Sequence, residues 1–530
     1  MAGFGLGIRY LNGWAMAAAD GARRMVAEWP PHPDRVFMAL AAAWFETGQD
    51  AAEGAALRWL EGLPPPAIAA SDAEFRHATG SHRPTTSYVP ANDMTRARRI
   101  PDTKDLKKLK EAGLALLPEH RLKNPKAFPT ALPHREEAFL IWPDIEPGEH
   151  RAALSALASQ VTHIGHPASF TQVWLEDRPP SPDWVPTDGV ASHRLRIFGP
   201  GRLDLLEQTA NYAAVLTHAE ITERIESAKG KAKKVLQQEL EERFPHGGPV
   251  SRRPEPGLSQ GYGKPAPPPE PPRPHTLFDP NLTVLALTGR RLSLQATLKL
   301  TEALRGAIQK VCPAPIPEWI SGHAIDGSAS RKPHLALAPL SFVGAEHADG
   351  RLLGVALVLP RDLDAREAAR CLEPLLFEEV GLPRAIRLYQ GQWLESVATV
   401  EQRESPPLNL RPESWTRASA VWASTTPVVL DRHFDGREKW DQAAHSVKDA
   451  CERIGLPRPR EVLLHPVSMI EGVPHAREFA YLTRKSDGGR MHHSHAVLIF
   501  DQPVEGPILL GAGRFRGYGF FRPLKEAGHG

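Results

Sequence analysis

Near the N-terminus Phe4, Leu6, Ile8 and Tyr10 alternate with Gly5, Gly7 and Arg9. A period of two predicts a strand with one buried face. The segment EWPPHPDRVFMALAAAWF then changes period. Its prolines stop at Pro33, Asp34 is placed to cap, and Val36, Phe37, Leu40 and Phe45 fall on one helical face. AAEGAALRWLEGL predicts a second helix. Strands are predicted at Ala138–Trp142, Gln172–Leu175 and Leu195–Phe198, with a helix at Glu149–Gln160. From Leu203 to about Phe244 the pattern is helical and heavily charged.

The pattern restarts at Leu282–Leu287, a strand. An amphipathic helix at Leu294–Val311 follows, then strands His334–Leu340 and Leu352–Leu359, a helix Asp364–Phe377 and a strand Ala385–Tyr389. The order β-α-β-β-α-β is that of a ferredoxin-like unit. A looser copy follows: strand Ala418–Leu430, helix Lys439–Ile454, strands Glu461–Pro466 and His495–Phe500, a glycine loop, and a last strand Tyr518–Phe521. The fold class is therefore α+β, with tandem ferredoxin-like (RRM-like) units in the C-terminal half.

A chain of 530 residues exceeds one ordinary domain. Between Pro245 and Pro274 there are 11 prolines and five glycines in 30 residues. Such a stretch propagates neither helix nor central strand, and reads as an interdomain linker or a long ordered surface loop. The expected division is 1–245, a linker at 246–275, and 276–530. Net charge is only +2, so a nucleic-acid partner would have to be held by local patches. The strongest local run is Arg96–Lys126, with ten Lys or Arg against four acids. It reads as a solvated loop or as an arm lying on phosphates, in which Lys107, Lys108 and Lys110 take part. Cys312, Cys371 and Cys451 match no zinc spacing and are expected to be reduced core thiols. No metal, cofactor, signal peptide or membrane span is expected, and a cytoplasmic location is.

The tail reads GAGRFRGYGFF from Gly511 to Phe521. Its glycine spacing fails the dinucleotide fingerprint, and too little chain follows for the helix and strand that fingerprint requires. This disfavours an enzyme with a nucleotide cofactor. Two readings remain. Gly511, Gly513, Gly517 and Gly519 let backbone approach a partner closely, Arg514 and Arg516 grip phosphate, and Tyr518 stacks on a base, in partial match to a basic-Gly-aromatic recognition strand. Alternatively the tail is a glycine-rich hairpin with Phe520 and Phe521 in the core.

EWPPHPDRVFMAL and YVPAND, then SGHAIDG, PHLALAPL and HADGRLLGVALVLP, and finally GPILLGAGRFRGYGFFRPL resemble the CRISPR-associated fusion subunit of type I-G (formerly I-U) systems. That resemblance covers most of the chain. It implies an N-terminal ferredoxin-like RAMP domain with helical and basic insertions, a Cas-five-like half that holds the 5′ handle of a guide RNA. It implies a Cas-six-like half that binds the repeat stem-loop and cuts it without metal. The implied partners are CRISPR guide RNA, the other Cascade subunits including the backbone protein, and, indirectly, target DNA.

Metal-free cleavage uses the ribose 2′-OH as nucleophile, and histidine suits both proton transfers. His323 lies in a polar loop with Asp326 and Gly327, His347 lies in a similar loop, and His334 begins a strand. His492, His493 and His495 lie next to the glycine loop. The resemblance also implies a histidine at the start of the first helix of the first unit. Here that position reads Gly289-Arg290-Arg291-Leu292-Ser293, so Arg290 and Arg291 are expected to bind phosphate and the base is sought in a loop. A non-catalytic capping and assembly subunit with the same contacts is the alternative.

Overall fold

The computed structural model describes residues 3–19, 25–76, 85–90, 104–105, 107, 123–209, 212–245, 257–265, 273–378, 381–390, 394–432, 434, 436, 438–484 and 488–524. Helix and sheet are mixed throughout. The packing divides the chain into two units, Met1–Pro186 with Leu195–Gln260, and Thr187–Arg194 with Gly261–Gly530.

In the first unit, strand β1 (Phe4–Tyr10) buries Phe4, Leu6, Ile8 and Tyr10, as its alternation predicts. Two helices follow, α1 (Pro33–Glu46) and α2 (Ala51–Glu61), then β2 (Ala67–Ala70), β3 (Glu137–Trp142), α3 (Arg151–Gln160) and β4 (Thr171–Glu176). The sheet order is β2-β3-β1-β4, with antiparallel neighbours. Phe4 stacks on Trp142 and tilts against Trp59 of α2, which ties the helices to that face. On the other face Gly7 has no room for a side chain, because a Cβ there would lie 2.3 Å from the Trp174 indole.

Asp34 does not cap α1. His32 is the N-cap, Pro33 is the first helical residue, and the Asp34 carboxylate instead pairs with Arg202 Nε at 2.8 Å, both side chains buried. Trp44, rather than Phe45, completes the inward face. Glu28 is the more demanding charge. Its side chain is 1% exposed. Arg35 donates to it in a fork, at 2.7 Å to each oxygen, Arg196 donates at 2.6 Å, and His32 Nδ1 lies 3.6 Å away. Burial alone would raise the Glu28 carboxyl, but Arg35, His32 and Arg196 together bring it down to about 2. Burial pushes His32 down to about 4 against the opposing pull of Glu28.

The strands Thr85–Pro90 and Lys123–Phe128 pair antiparallel, and the second holds the C-terminal end of the basic run. Within that run the Lys107 N–H donates to Asp105 Oδ1 at 2.9 Å. Arg96, Lys108 and Lys110 lie outside the described residues. The helix Gly230–Arg243 buries no side chain, in keeping with its charge. Within the stretch expected as linker, Leu258–Gly263 forms a strand and Tyr262 is fully buried. This LSQGYG window is the part without proline, so its backbone donors remain available for pairing.

The second unit begins with β5 (Thr283–Gly289), α4 (Thr297–Val311), β6 (Ala336–Ser341), β7 (Leu352–Val358) and α5 (Ala365–Leu376), where the Asp364 carboxylate caps Glu367 N–H at 2.8 Å. The expected closing strand is present as β8 (Ile386–Gln390), but at the sheet edge. The strand beside β5 is β9 (Leu394–Val400), which the sequence reading missed. The order is β6-β7-β5-β9-β8, all antiparallel. A hairpin has thus taken the place of one strand. Leu285, Val355, Ile386, Leu388 and Ala398 pack with Leu300, Leu304 and Leu372 of the helices in one continuous core.

The rest of the unit is β10 (Ser419–Ser424), α6 (Lys439–Arg453), β11 (Glu461–His465), β12 (His493–Val504) and β13 (Phe521–Pro523), in spatial order β11-β12-β10-β13. The expected strand Ala418–Leu430 is broken at Thr425–Pro427. There the Thr426 hydroxyl donates to Gly517 O at 2.9 Å and the Gly519 N–H donates to Pro427 O at 2.9 Å, so the glycine loop occupies the break. Cys312, Cys371 and Cys451 are free and buried. Among the described residues no helix is long and apolar enough to cross a membrane.

The buried charges of the first unit set a pH dependence. Glu28 has a depressed folded pKa, so its contribution is complete above the unfolded value of 4.5 and is lost as pH falls toward 2. His32 is held neutral in the fold, so the unfolded chain takes up a proton below 6.5 and stability also falls with acid until about pH 4. The urea midpoint is expected to drop steadily from pH 7 to pH 4, and an unchanged midpoint over that range would contradict this account. Glu28→Gln at pH 7 is expected to cost about 3–5 kcal/mol, because two arginines lose their buried counter-charge.

Candidate nucleic-acid interface

The segment SGHAIDGSASRKPHLAL follows a one-turn helix, Glu318–Ser321, that ends at Gly322 with φ +71°. The chain then folds back on itself. The Gly327 N–H donates to Ala324 O, the Ser330 N–H to Gly322 O, and the Asp326 carboxylate accepts the Ser328 N–H at 2.9 Å. His323 is exposed on this loop, with Nδ1 3.0 Å from Ser321 O. His334 comes at the loop's end and is only 9% exposed. Its Nδ1 lies 3.1 Å from Lys332 O; since a carbonyl only accepts, this nitrogen carries the proton and Nε2 the lone pair. Nε2 faces Gly322, where a Cβ would lie 3.0 Å from it.

The His334 ring stacks on Phe515, with centroids 3.4 Å apart and planes 27° apart. The Arg514 guanidinium also lies against Phe515, at 4.4 Å, and donates to Gly511 O at 3.2 Å. Arg305 of α4 reaches three backbone segments at once. It donates to Ile320 O and Leu335 O at 3.3 Å and to Phe515 O at 3.1 Å. Arg516 is half-exposed and pairs with Glu302 of α4. Burial pushes His334 down to about 4; the bond to Lys332 opposes this, and the charges of Arg305, Arg514 and His323 add to it. His334 is therefore neutral at pH 7, an imidazole among cations.

This grouping joins His323, His334, Arg514 and Arg516 from the sequence expectations. Arg305 and Phe515 were missed. Phe515 was visible as the ring between two arginines. Arg305 gave no signal, being one arginine on an amphipathic helix. His347 does not join the group: it is exposed at φ +62°, with Glu346 3.6 Å from its Nε2. Arg290 and Arg291 are exposed just beyond β5, and among the described residues neither makes an ion pair. Lys107 is exposed in the first unit.

The glycines and Tyr518 are corrected. A Cβ at Gly519 would lie 1.9 Å from Leu510 O, at Gly511 2.4 Å from Val429 O, at Gly517 2.7 Å from Thr297, and at Gly513 2.8 Å from Tyr518. The close backbone approach is to the protein itself. Tyr518 is fully buried, its hydroxyl donates to Ala480 O at 2.7 Å, and its ring is out of reach of a base. Phe520 and Phe521 are also fully buried, as the hairpin reading expects. Of the histidines before the loop, His495 is buried between Ser424 Oγ and Pro474 O, and His493 stacks on Tyr481 at 4.5 Å.

The family described as "CRISPR-associated protein, GSU0054 family" matches residues 8–224 and 281–523. The chain belongs to that family. Among solved structures it is similar to Cas6b, at 10% identity and a TM-score of 0.27 over 46% of this chain and 99% of that one. It is also similar to a CRISPR protein from Archaeoglobus fulgidus, at 13% identity and a TM-score of 0.17 over 36% and 71% of the two chains. No curated protein matches this chain.

Removing the ring should free the imidazole. In Phe515→Ala the His334 pKa is expected to rise from about 4 toward 6.5, read by NMR titration of its ring protons. A titration midpoint still near 4 would show that the ring is not what desolvates it.

Proposed function

We propose that this chain is an RNA-binding subunit of a type I-G CRISPR surveillance complex, in which the second unit grips the repeat portion of the guide. The observation that carries the reading is the convergence of Arg305, Arg514, Arg516, His323 and His334 around Phe515. Arginines offer forked donors to phosphate, and a cationic cluster on a chain of net charge +2 marks a local rather than a global attraction. The two antiparallel sheets support tandem ferredoxin-like units. Order β11-β12-β10-β13 is the second-third-first-fourth order of that fold, and β6-β7-β5-β9 repeats it with β8 added at the edge. Residues 1–245 are the proposed 5′-handle-binding half and 276–530 the repeat-binding half, with the Arg96–Lys126 arm on guide RNA or the backbone subunit.

Two variants of the reading differ in chemistry. In the first, a repeat 2′-OH loses its proton to His334 Nε2, its oxygen attacks the adjacent phosphorus, and the 5′-oxygen leaves with a proton from His323. The products are a 2′,3′-cyclic phosphate and a 5′-OH, with Arg514 and Arg516 steadying the charged phosphorane. The exposure of His323 next to a fixed Nε2 favours it. In the second, the site binds without cutting; the burial of His334 under Phe515 favours this one.

End-labelled repeat RNA incubated with the protein in EDTA separates them. Cleavage predicts a cyclic-phosphate product that disappears in His323→Ala and His334→Ala and persists in His347→Ala. Capping predicts intact RNA, bound tightly. Under both, Arg514→Ala and Arg516→Ala weaken binding and each lowers the salt slope by about 0.7. Binding indifferent to both arginines and to salt would refute the reading.

A further inference from the structure

The arrangement expected of the tail, rings and arginines alternating on an open sheet face, occurs elsewhere. In β8 the sequence IRLYQ alternates in the same way. Ile386 and Leu388 are buried against the helices, while Arg387 and Tyr389 point to the opposite face. Tyr389 is 55% exposed, unusual for a ring in a regular strand. The register extends this face across the sheet. Arg387 lies opposite Val397 of β9, and Val397 lies opposite Thr288 of β5. Thr399 and Ala286 continue it one step on. Thr288 is exposed, and Val397, Thr399 and Ala286 are only half-buried, so this part of the face carries no covering layer among the described residues. The β6–β7 end of the same face, at Ala338 and Ala356, is fully buried.

Strands about 4.8 Å apart make the open part roughly 10 Å across from β8 to β5. At its β5 margin the chain runs on into Arg290 and Arg291, both exposed. Like Arg387, they make no ion pair among the described residues. This contrasts with Arg351, Arg366, Arg453, Arg458 and Arg516 of the same unit, each paired with a carboxylate. Thr288 and Thr399 supply hydroxyls between the cations.

We infer that the open face formed by Tyr389, Arg387, Val397, Thr399 and Thr288, with Arg290 and Arg291 at its margin, binds a single-stranded RNA segment. One base stacks on Tyr389, and the unpaired arginines take the phosphates on either side. The face suits an unpaired strand, since a base inside a duplex has no free surface to offer the ring. It rests on the RNA-binding reading above but uses a different surface, so one subunit would hold the guide at two places.

The test uses the full chain and a fluorescein-labelled, unstructured 12-nucleotide oligouridylate RNA. Tyr389→Ala is expected to weaken binding about 5- to 150-fold, while Tyr389→Phe retains it, because stacking needs the ring and not the hydroxyl. Arg387→Ala lowers the salt slope by about 0.7. Photocrosslinking of 4-thiouridine-substituted oligomer is expected to mark the peptide carrying Tyr389. Unchanged affinity in Tyr389→Ala and Arg387→Ala, with crosslinks confined to the peptide of Phe515, overturns the inference. If repeat RNA still depends on Arg514 and Arg516 in that case, the function proposed above survives. If neither RNA binds in a salt-dependent way, both fall.

Discussion

One guanidinium holds the candidate interface together. Arg305 donates to the carbonyls of Ile320, Leu335 and Phe515, which belong to three separate stretches of chain. The first lies in the helix before the His323 loop, the second directly precedes the strand after His334, and the third is the turn between Arg514 and Arg516. A half-buried arginine answered by carbonyls rather than a carboxylate keeps its positive charge in the site. It therefore positions the two loops and contributes to the field that a phosphate would meet.

The glycine loop is the other half of that constraint. In the second sheet the position between β12 and β13, where a second helix would be expected, is taken by the stretch that includes Gly511–Gly519. It lies so tightly against Leu510, Val429 and Thr297 that side chains are excluded. Thr425 and Thr426 break the strand β10 line to bond it, and Tyr518 anchors it through Ala480. What the loop presents outward is then the turn Arg514-Phe515-Arg516. The glycines act at one remove, by permitting a packing that puts these three residues beside His334.

Electrostatically the chain separates two kinds of cation. Arg35, Arg196 and Arg202 are enclosed with Glu28 and Asp34 and stabilise the first unit. Arg387, Arg290 and Arg291 stand on the surface without an ion pair among the described residues, and Arg514 donates to a carbonyl and lies on a ring, with the charge of Asp431 acting on it. A nearly neutral total conceals this division, because pairing cancels charge in the sum and in space, while an unpaired arginine keeps its field.

The sequence by itself determined the elements with strong periodicity. Residues 4–10, both first helices, α4, β7, α5 and α6 stand close to where alternation and helical spacing put them, because burial of one face is a local property of the pattern. It also held the family resemblance. The tertiary structure alone decided partners. Asp34 looks like a cap in sequence and is a buried counter-ion in the fold; the pairing of β9 with β5 is likewise invisible in its letters. Tyr518 and Tyr389 are indistinguishable as letters, yet one is sealed in the core and the other stands on an open face. Which face a ring occupies depends on what packs across the sheet from it, and that is set by residues hundreds of positions away.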